Sequence, residues 1–260
     1  MIDIFQIIEN HRSIRKYKSA PVADDLLEKI LNAGLRASSS GNMQTWSVVI
    51  TSDLEIRKRL FKAHFEQEML LEAPLLFTFC SDFHRMRRWV KLREAPDNFD
   101  NLMSFMIGAI DATLASQNVA LAAEAKGLGI CYMGTTLASC DTIAQILELP
   151  PNVVPVAGYV MGYPDENPQL RDRLPLEGLV HKEVYTKYSD EDILNIYKDR
   201  EQKGWDRYMS VPELRKMIEE SGVDNLAQVY TQVKYTQESH KHFSQNILKC
   251  LNKQDFTNDK

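Results

Sequence analysis

Cysteine is scarce in this chain, positive charge is in deficit, and no glycine-rich phosphate loop occurs. Each absence removes a class of protein. The four cysteines, Cys80, Cys131, Cys140 and Cys250, show neither paired nor metal-like spacing and sit mostly in apolar surroundings, so they read as reduced core thiols of a cytoplasmic protein. A formal net charge of −5 and a pI near 5.7 argue against a nucleic-acid binder or a polybasic membrane anchor, both of which need a positive field. Neither a P-loop nor a Gly-x-Gly-x-x-Gly pattern is present, which sets aside the glycine-rich-loop nucleotide binders. His64, His84, His181, His240 and His242 lack ligand-like neighbours in the sequence. No nucleophile–base triad stands out either, so no metal and no catalytic side chain of the protein is expected.

Long uninterrupted apolar runs are missing as well. The most apolar segment, about residues 105–125, is broken by Asp111, Gln117, Asn118 and Glu124, which a membrane span would tolerate poorly. The first nine residues lack the basic head and long apolar core of a signal peptide and read as mature protein. Internal repeats and low-complexity linkers are absent. At 260 residues the chain can bury well over half of its unfolded surface without a covalent staple.

What is present is a sequence of alternating helices and strands. Ile2, Phe5, Ile7 and Ile8 give a short first helix an apolar stripe. A second helix follows Pro21, with Asp24 and Asp25 in its first turn and Leu26, Leu27, Ile30, Leu31 and Leu35 at helical spacing, ending near Ala37. Residues 46–51, 75–80, 130–133 and 153–161 read as strands, the second a buried one bounded by Pro74 and Asp82. Residues 54–67 and 141–147 read as helices. Residues 102–126 are apolar almost all round, the signature of a buried helix roughly 37 Å long at about 1.5 Å per residue. It is stopped by Gly127 and Gly129. Asp111, inside it, reads as a structural carboxylate. After about residue 185 the apolar positions become sparse, too few for a core of their own. The division expected is therefore a core of residues 1–185 and an extension of residues 186–260, laid over that core or over a partner subunit.

Residues 11–15, His-Arg-Ser-Ile-Arg, put two guanidiniums, an imidazole and a hydroxyl within five positions. Two arginines at this spacing can grip a phosphate or a delocalised anion, because the planar guanidinium fork matches such oxygens. A solvated helix end is the plain alternative. Three further stretches stand beside it: residues 36–46 (Arg-Ala-Ser-Ser-Ser-Gly-Asn-Met-Gln-Thr-Trp), 127–135 (Gly-Leu-Gly-Ile-Cys-Tyr-Met-Gly-Thr) and 162–173 (Gly-Tyr-Pro-Asp-Glu-Asn-Pro-Gln-Leu-Arg-Asp-Arg).

In that order and at those separations the four stretches resemble the nitroreductase family of FMN enzymes, over about residues 1–190. Residues 173–177 (Arg-Leu-Pro-Leu-Glu) and His181 are similar to its subgroup of NADPH-dependent, oxygen-insensitive nitroreductases and flavin reductases. Residues 41–44 depart from that subgroup. The resemblance implies an α+β fold with a central, mostly antiparallel sheet flanked by helices. It also implies a homodimer with a C-terminal extension, each flavin lying between subunits and residues 102–126 near the two-fold. By the same resemblance His11, Arg12, Ser13 and Arg15 hold the phosphate, ribityl and pyrimidine side of FMN. Ser38, Ser39 and Ser40 pass by the ring, and Gln67 contacts the pyrimidine edge. Tyr132, Met133, Gly134 and Thr135 lie against the N5 or dimethylbenzene side, and Arg171 and Arg173 meet the phosphate.

The implied activity is hydride transfer from NADPH or NADH to flavin N5, followed by reduction of a small acceptor such as a nitroaromatic, a quinone or free flavin at the same ring face. Such chemistry needs no protein nucleophile or metal, in keeping with their lack. The alternatives are a flavin reductase releasing reduced FMN and a flavin-binding module without turnover. The basic stretch of residues 83–93 reads as a solvated helical face, or else as a docking surface for a phosphorylated nicotinamide cofactor.

Overall fold

The computed structural model describes residues 3–258; Ile2, placed above in the stripe of the first helix, lies outside them. By its contacts the chain divides into two units, residues 1–170 with 243–260, and residues 171–242. The expected boundary at 185 falls inside the second unit.

In the first unit, α1 (Ile4–Glu9) and α2 (Asp24–Gly34) precede β1 (Trp46–Thr51), α3 (Leu54–Ala63), the short α4 (Met69–Glu72) and β2 (Leu75–Asp82). There follow α5 (His84–Leu92), α6 (Leu102–Glu124), β3 (Gly129–Tyr132), α7 (Thr135–Ala138), α8 (Cys140–Ile146) and β4 (Val153–Gly162). The strands form one antiparallel sheet in the order β1-β2-β4-β3. It is the antiparallel α+β sheet that the family resemblance implied.

Alternation along the two central strands explains the layering. Leu75, Phe77 and Phe79 of β2 and Tyr159 and Met161 of β4 face one cluster with Ala112, Val119, Ala120 and Ala123 of α6. Leu76 and Val160, one residue out of phase, face a second cluster with Leu60, Leu70, Met133 and Ile143. A strand whose successive side chains point to opposite sides needs helices on both. Phe77, Phe79 and Tyr159 are fully buried and stack with centroids 5.2 to 6.2 Å apart. Each contributes about 1.5–3 kcal/mol of apolar burial.

Helix α6 is long and apolar enough to cross a membrane by length and composition, yet it packs across the sheet with ten residues buried. Its burial is one-sided. Met103, Met106, Ile110 and Leu114 stay exposed, so the all-round apolar pattern records a second face, not a fully enclosed helix. At its end Gly127 takes φ +78°, and Leu128 N–H reaches back to Ala123 O at 3.1 Å, a left-handed glycine cap.

Helix α3 stops at Ala63, short of the expected Gln67. His64 is drawn wholly inside, and Phe65 and Glu66 adopt positive φ to turn the chain. A tertiary contact of one side chain overrides the helical pattern there. The four cysteines are buried thiols. On α5, Arg87 pairs with Asp97 and Asp100 and Arg85 with Asp82, so part of its charge is locally compensated.

The second unit holds α9 (Asp190–Ser210), α10 (Pro212–Ser221) and α11 (Leu226–Gln228); α12 (Gln237–Lys253) begins within it and groups with the first unit from residue 243. Ser189 and Asp192 form a capping box at the start of α9. Contrary to the expectation of no core, Tyr208, Ile218, Val223, Leu226 and Val229 make a small buried cluster. Each short element contributes only one or two of these residues, so no single stretch looks amphipathic enough to announce it.

Candidate functional site

Residues 12–18 run alongside β3 as an irregular edge. Ile14 N–H donates to Ile130 O, Lys18 N–H to Tyr163 O and Asp165 N–H to Lys16 O, each at 2.9 Å, and Tyr17 bridges Pro164. Glycine at 129 makes the approach possible, since a Cβ there would stand 2.5 Å from Ile14 Cγ1 and 3.0 Å from Pro164 Cγ. Close backbone passage of this kind is a recurrent use of glycine.

This placement fixes the polar residues of the first motif. His11 Nδ1 lies 2.6 Å from Glu124 Oε1 at the end of α6. Arg12 donates from Nε to Asn10 O at 3.1 Å and from Nη1 to Asn167 Oδ1 at 2.7 Å and Pro168 O at 3.1 Å. Arg15 Nη1 donates to the carbonyl of Ser13 at 3.4 Å. The backbone N–H groups of Arg15 and Lys16 both donate to Glu166 Oε1. Among the described residues, the hydrogen-bond acceptors of the Arg12 and Arg15 side chains are therefore neutral. Their charge remains available to an anion. A cleft of about 540 Å³ opens beside Arg12, with Asn10, Glu124, Gly129, Glu166 and Asn167 in its wall.

Ile14, Ala63, Met69, Cys131 and Met133 share one apolar cluster, which gathers residues 11–15, Gln67 and residues 132–135 around it. Gln67 Nε2 donates to His64 O at 2.9 Å and to Thr135 Oγ1 at 3.2 Å. The Tyr132 hydroxyl lies 2.8 Å from Ser116 Oγ, and its ring meets Tyr159 edge-on at 4.9 Å. Met133 is turned inward, its side chain buried and its N–H given to Gly158 O at 2.8 Å. A Cβ on Gly134 would meet nothing within 4 Å, so this backbone borders open space.

The serine loop is held elsewhere on the same unit. Asp111, 1% exposed, accepts from Ser39 Oγ at 2.6 Å, Ser40 N–H at 3.1 Å, Thr45 N–H at 3.2 Å and Thr45 Oγ1 at 3.1 Å. Ser39 Oγ also accepts from Gln44 N–H at 2.7 Å, so its hydroxyl is committed inside the loop. Ser38 leads into this turn and Ser40 opens a short 3-10 segment, Ser40–Asn42. Beyond it, Arg85 clamps the loop's exit by donating to Gln44 O and Trp46 O at 3.0 and 3.2 Å. The serine loop meets α6 at Asp111 and the first motif meets it at Glu124, about 20 Å further along the helix axis.

Arg171 and Arg173 belong to the second unit. There Arg173 Nη1 donates to the carbonyls of Arg171 and Asp172 at 3.3 and 3.1 Å, and Asp172 pairs with Arg200.

Sequence reasoning passed over Asp111, read only as a structural carboxylate, and His64, set aside for want of partners. The available signals were the polar residue inside an apolar helix and the three-residue spacing from His64 to Gln67.

Comparison with known proteins adds to this geometry. The model of the nitroreductase family matches residues 8–163. An NADPH-dependent oxidoreductase of Staphylococcus haemolyticus is 34% identical over an alignment of 215 residues that covers 76% of this chain and 84% of that protein. An FMN reductase (NAD(P)H) of Bacillus subtilis is 30% identical over 246 residues, 85% of this chain and 98% of that one. The solved structure of an NADPH:FMN oxidoreductase from Vibrio harveyi, complexed with NAD+, superposes with a TM-score of 0.80 at 28% identity, covering 98% of this chain and 99% of the other. The matched span contains the guanidinium segment clamped over Gly129, the serine loop on Asp111 and the Tyr132–Thr135 turn, and on that footing the chain belongs to the nitroreductase family.

Proposed function

We propose that this protein is an NAD(P)H-dependent FMN oxidoreductase that reduces nitroaromatics, quinones or free flavin by a ping-pong mechanism, and that it works as a homodimer. The single observation that carries the reading is the pair of guanidiniums, Arg12 and Arg15, whose acceptors are neutral. They sit on a backbone pressed against β3, in the same neighbourhood as Gln67 and the open side of Gly134. This donor set fits a flavin phosphate: cations for anionic oxygens, an amide for a heterocyclic edge, and a flat backbone approach.

Bound FMN supplies a ring nitrogen, N5, that accepts hydride from a nicotinamide and passes two electrons on. The chain's residues bind and bias it. Arg15 beside the N1 edge would stabilise negative charge developing on the ring, a fixed cation that needs no reorganisation. Arg12, with His11 and Ser13, would hold the ribityl and phosphate side, and Arg171 and Arg173 are assigned to the phosphate on the family pattern. The wall of Tyr132, Met133, Gly134 and Thr135 would act through its backbone, since the Tyr132 hydroxyl and the Met133 N–H are already bonded within the chain.

The homodimer follows from two supports. Ser39 and His11 are anchored at stations about 20 Å apart on α6, so within one copy the serine loop lies well away from the segment assigned to the ribityl and phosphate side. The exposed stripe of Met103, Met106, Ile110 and Leu114 is a surface that a second copy can cover, bringing Ser38, Ser39 and Ser40 of one chain to the flavin held by the other. The names of the relatives, NADPH-dependent oxidoreductase and FMN reductase, support the reaction class.

An anaerobic titration of the purified protein with NADPH tests the reading. Visible flavin absorption should bleach with one equivalent and return on addition of a nitrofuran or a quinone. Bleaching without return would remove turnover with those acceptors, and no bleaching with either NADPH or NADH would remove the activity.

A further inference from the structure

Behind the proposed flavin edge, three side chains of the first unit form a relay of hydrogen bonds. Gln67 Nε2 donates to His64 O at 2.9 Å and to Thr135 Oγ1 at 3.2 Å, and Thr135 Oγ1 lies 2.9 Å from His64 Nδ1. A carbonyl oxygen can only accept, so the nitrogen of the amide, not its oxygen, must face His64 O. Its second N–H goes to Thr135. Both donors of Gln67 are then spent, and Oε1 is the polar atom left to meet a ligand. Having accepted from Gln67, the Thr135 hydroxyl can give its proton to an unprotonated Nδ1, whereas the other tautomer donates from Nδ1–H to Oγ1; either bond ties Thr135 to His64.

Donation from Thr135 goes with a neutral imidazole carrying its proton on Nε2, and donation to Thr135 with one carrying it on Nδ1. His64 is completely buried, and desolvation pushes it down to about 4, so it is neutral at physiological pH. Among the described residues its Nε2 has no hydrogen-bond partner. A side chain present only to fill this volume would be apolar and would leave no nitrogen unpaired. What the imidazole adds is the hydrogen-bond partner for Thr135.

We infer that His64 is a positioning residue: through its own carbonyl and, by way of its ring, through Thr135, it holds the Gln67 amide with its oxygen outward and so makes position 67 an obligate acceptor, selective for an N–H on the edge of the bound ring. The inference rests on the FMN reading above. Along the pyrimidine edge of an isoalloxazine stand C2=O, N3–H and C4=O, of which only N3–H donates. An outward Oε1 would pair with N3–H and be repelled by either carbonyl. Thr135 and Gln67 thus act as one unit, with Thr135 turned toward the protein and Gln67 toward the ligand.

The test is a thermodynamic cycle in binding, independent of turnover. Apo-protein is titrated with FMN and with FMN methylated at N3, and flavin fluorescence is followed for wild type, His64→Phe, Thr135→Val, Gln67→Ala and His64→Asn. Wild type should prefer FMN by about tenfold or more, the scale of one well-made hydrogen bond plus the clash of the methyl group. His64→Phe and Thr135→Val should each lose affinity for FMN by about threefold while binding of the methylated flavin stays near its wild-type value, so that the ratio falls without reaching one, because the carbonyl of residue 64 still takes one N–H of the amide. Gln67→Ala should bring the ratio toward one. His64→Asn, whose Oδ1 can accept where Nδ1 did, should recover most of the preference.

Equal binding of the two flavins by wild type overturns the inference and leaves the FMN reading standing. A preference undiminished in both His64→Phe and Thr135→Val overturns the relay. Absence of saturable binding of either flavin removes the FMN reading and this inference with it. Thr135→Val conserves size at a position outside the core, so the cycle stands even if His64→Phe folds poorly.

Discussion

Ser39 and Asp111 are joined by a hydrogen bond of 2.6 Å from a loop hydroxyl to a carboxylate buried in the long helix α6. The same carboxylate also takes the N–H groups of Ser40 and Thr45, closing both ends of the serine loop on one residue. The loop's shape is set by a helix it does not adjoin in sequence. Replacing Asp111 with Asn puts an amide N–H₂ among donors, leaving at least one N–H of the loop without an acceptor. Asp111→Asn should cost about 2–4 kcal/mol, read as a lowered urea midpoint. An unchanged midpoint would detach the loop from this anchor.

His64 makes stability depend on pH. Its folded pKa of about 4 lies below the ordinary histidine value of 6.5, so as pH falls through 6.5 the unfolded chain takes up a proton first. The stability it contributes is full above pH 6.5, declines as pH falls towards about 4, and is gone below that. The loss amounts to about 3 kcal/mol. Urea unfolding across pH 4 to 7 should show wild type losing about 3 kcal/mol more than His64→Phe towards the acid end; parallel curves would contradict the buried neutral imidazole.

Gly129→Ala drives a methyl group into Ile14, whose Cγ1 and Cβ would lie 2.5 and 2.9 Å away. The backbone of residues 11–15 must then lift from β3. We expect a loss of about 1–3 kcal/mol, the usual cost of overpacking, together with reduced flavin content. Full flavin content in a destabilised variant would show that the clamp over Gly129 serves folding alone.

Ile110 stands 52% exposed in the middle of the uncovered stripe of α6. Ile110→Asp should leave the sheet and its helices intact by circular dichroism while converting a dimer to a monomer in sedimentation. FMN should leave with the partner, because the serine loop is assigned to the other copy's flavin. A monomeric wild type, or a dimer that persists in the variant, would contradict the shared site.

Much of this architecture was legible because it follows from local pattern. The continuous apolar run of β2 and the small-and-apolar texture of α6 report burial directly, and the family resemblance of residues 11–15 and 127–135 implied one neighbourhood, to which the passage of Ile14 over Gly129 gives a physical form. What local pattern could not report was long-range pairing. The spacing of His64 to Gln67 is a local hint, but it does not announce that His64 will abandon the helix for Thr135, a residue 71 positions away. Asp111 looked like an interruption of an apolar helix because its partners, Ser39 and Thr45, come from another segment. The core of the second unit was hidden for the same reason, being assembled from one or two residues of each short element.

The account turns on Arg12 and Arg15 as cations kept for an anionic flavin, and a titration of apo-protein with FMN measures that directly. Wild type should show saturable quenching of flavin fluorescence at one FMN per chain. Removing a charged hydrogen-bond donor costs about 1.5–3 kcal/mol, so Arg12→Ala and Arg15→Ala should each weaken binding by roughly tenfold to a hundredfold with no loss of fold. Affinity and stoichiometry unaltered in both variants would contradict it.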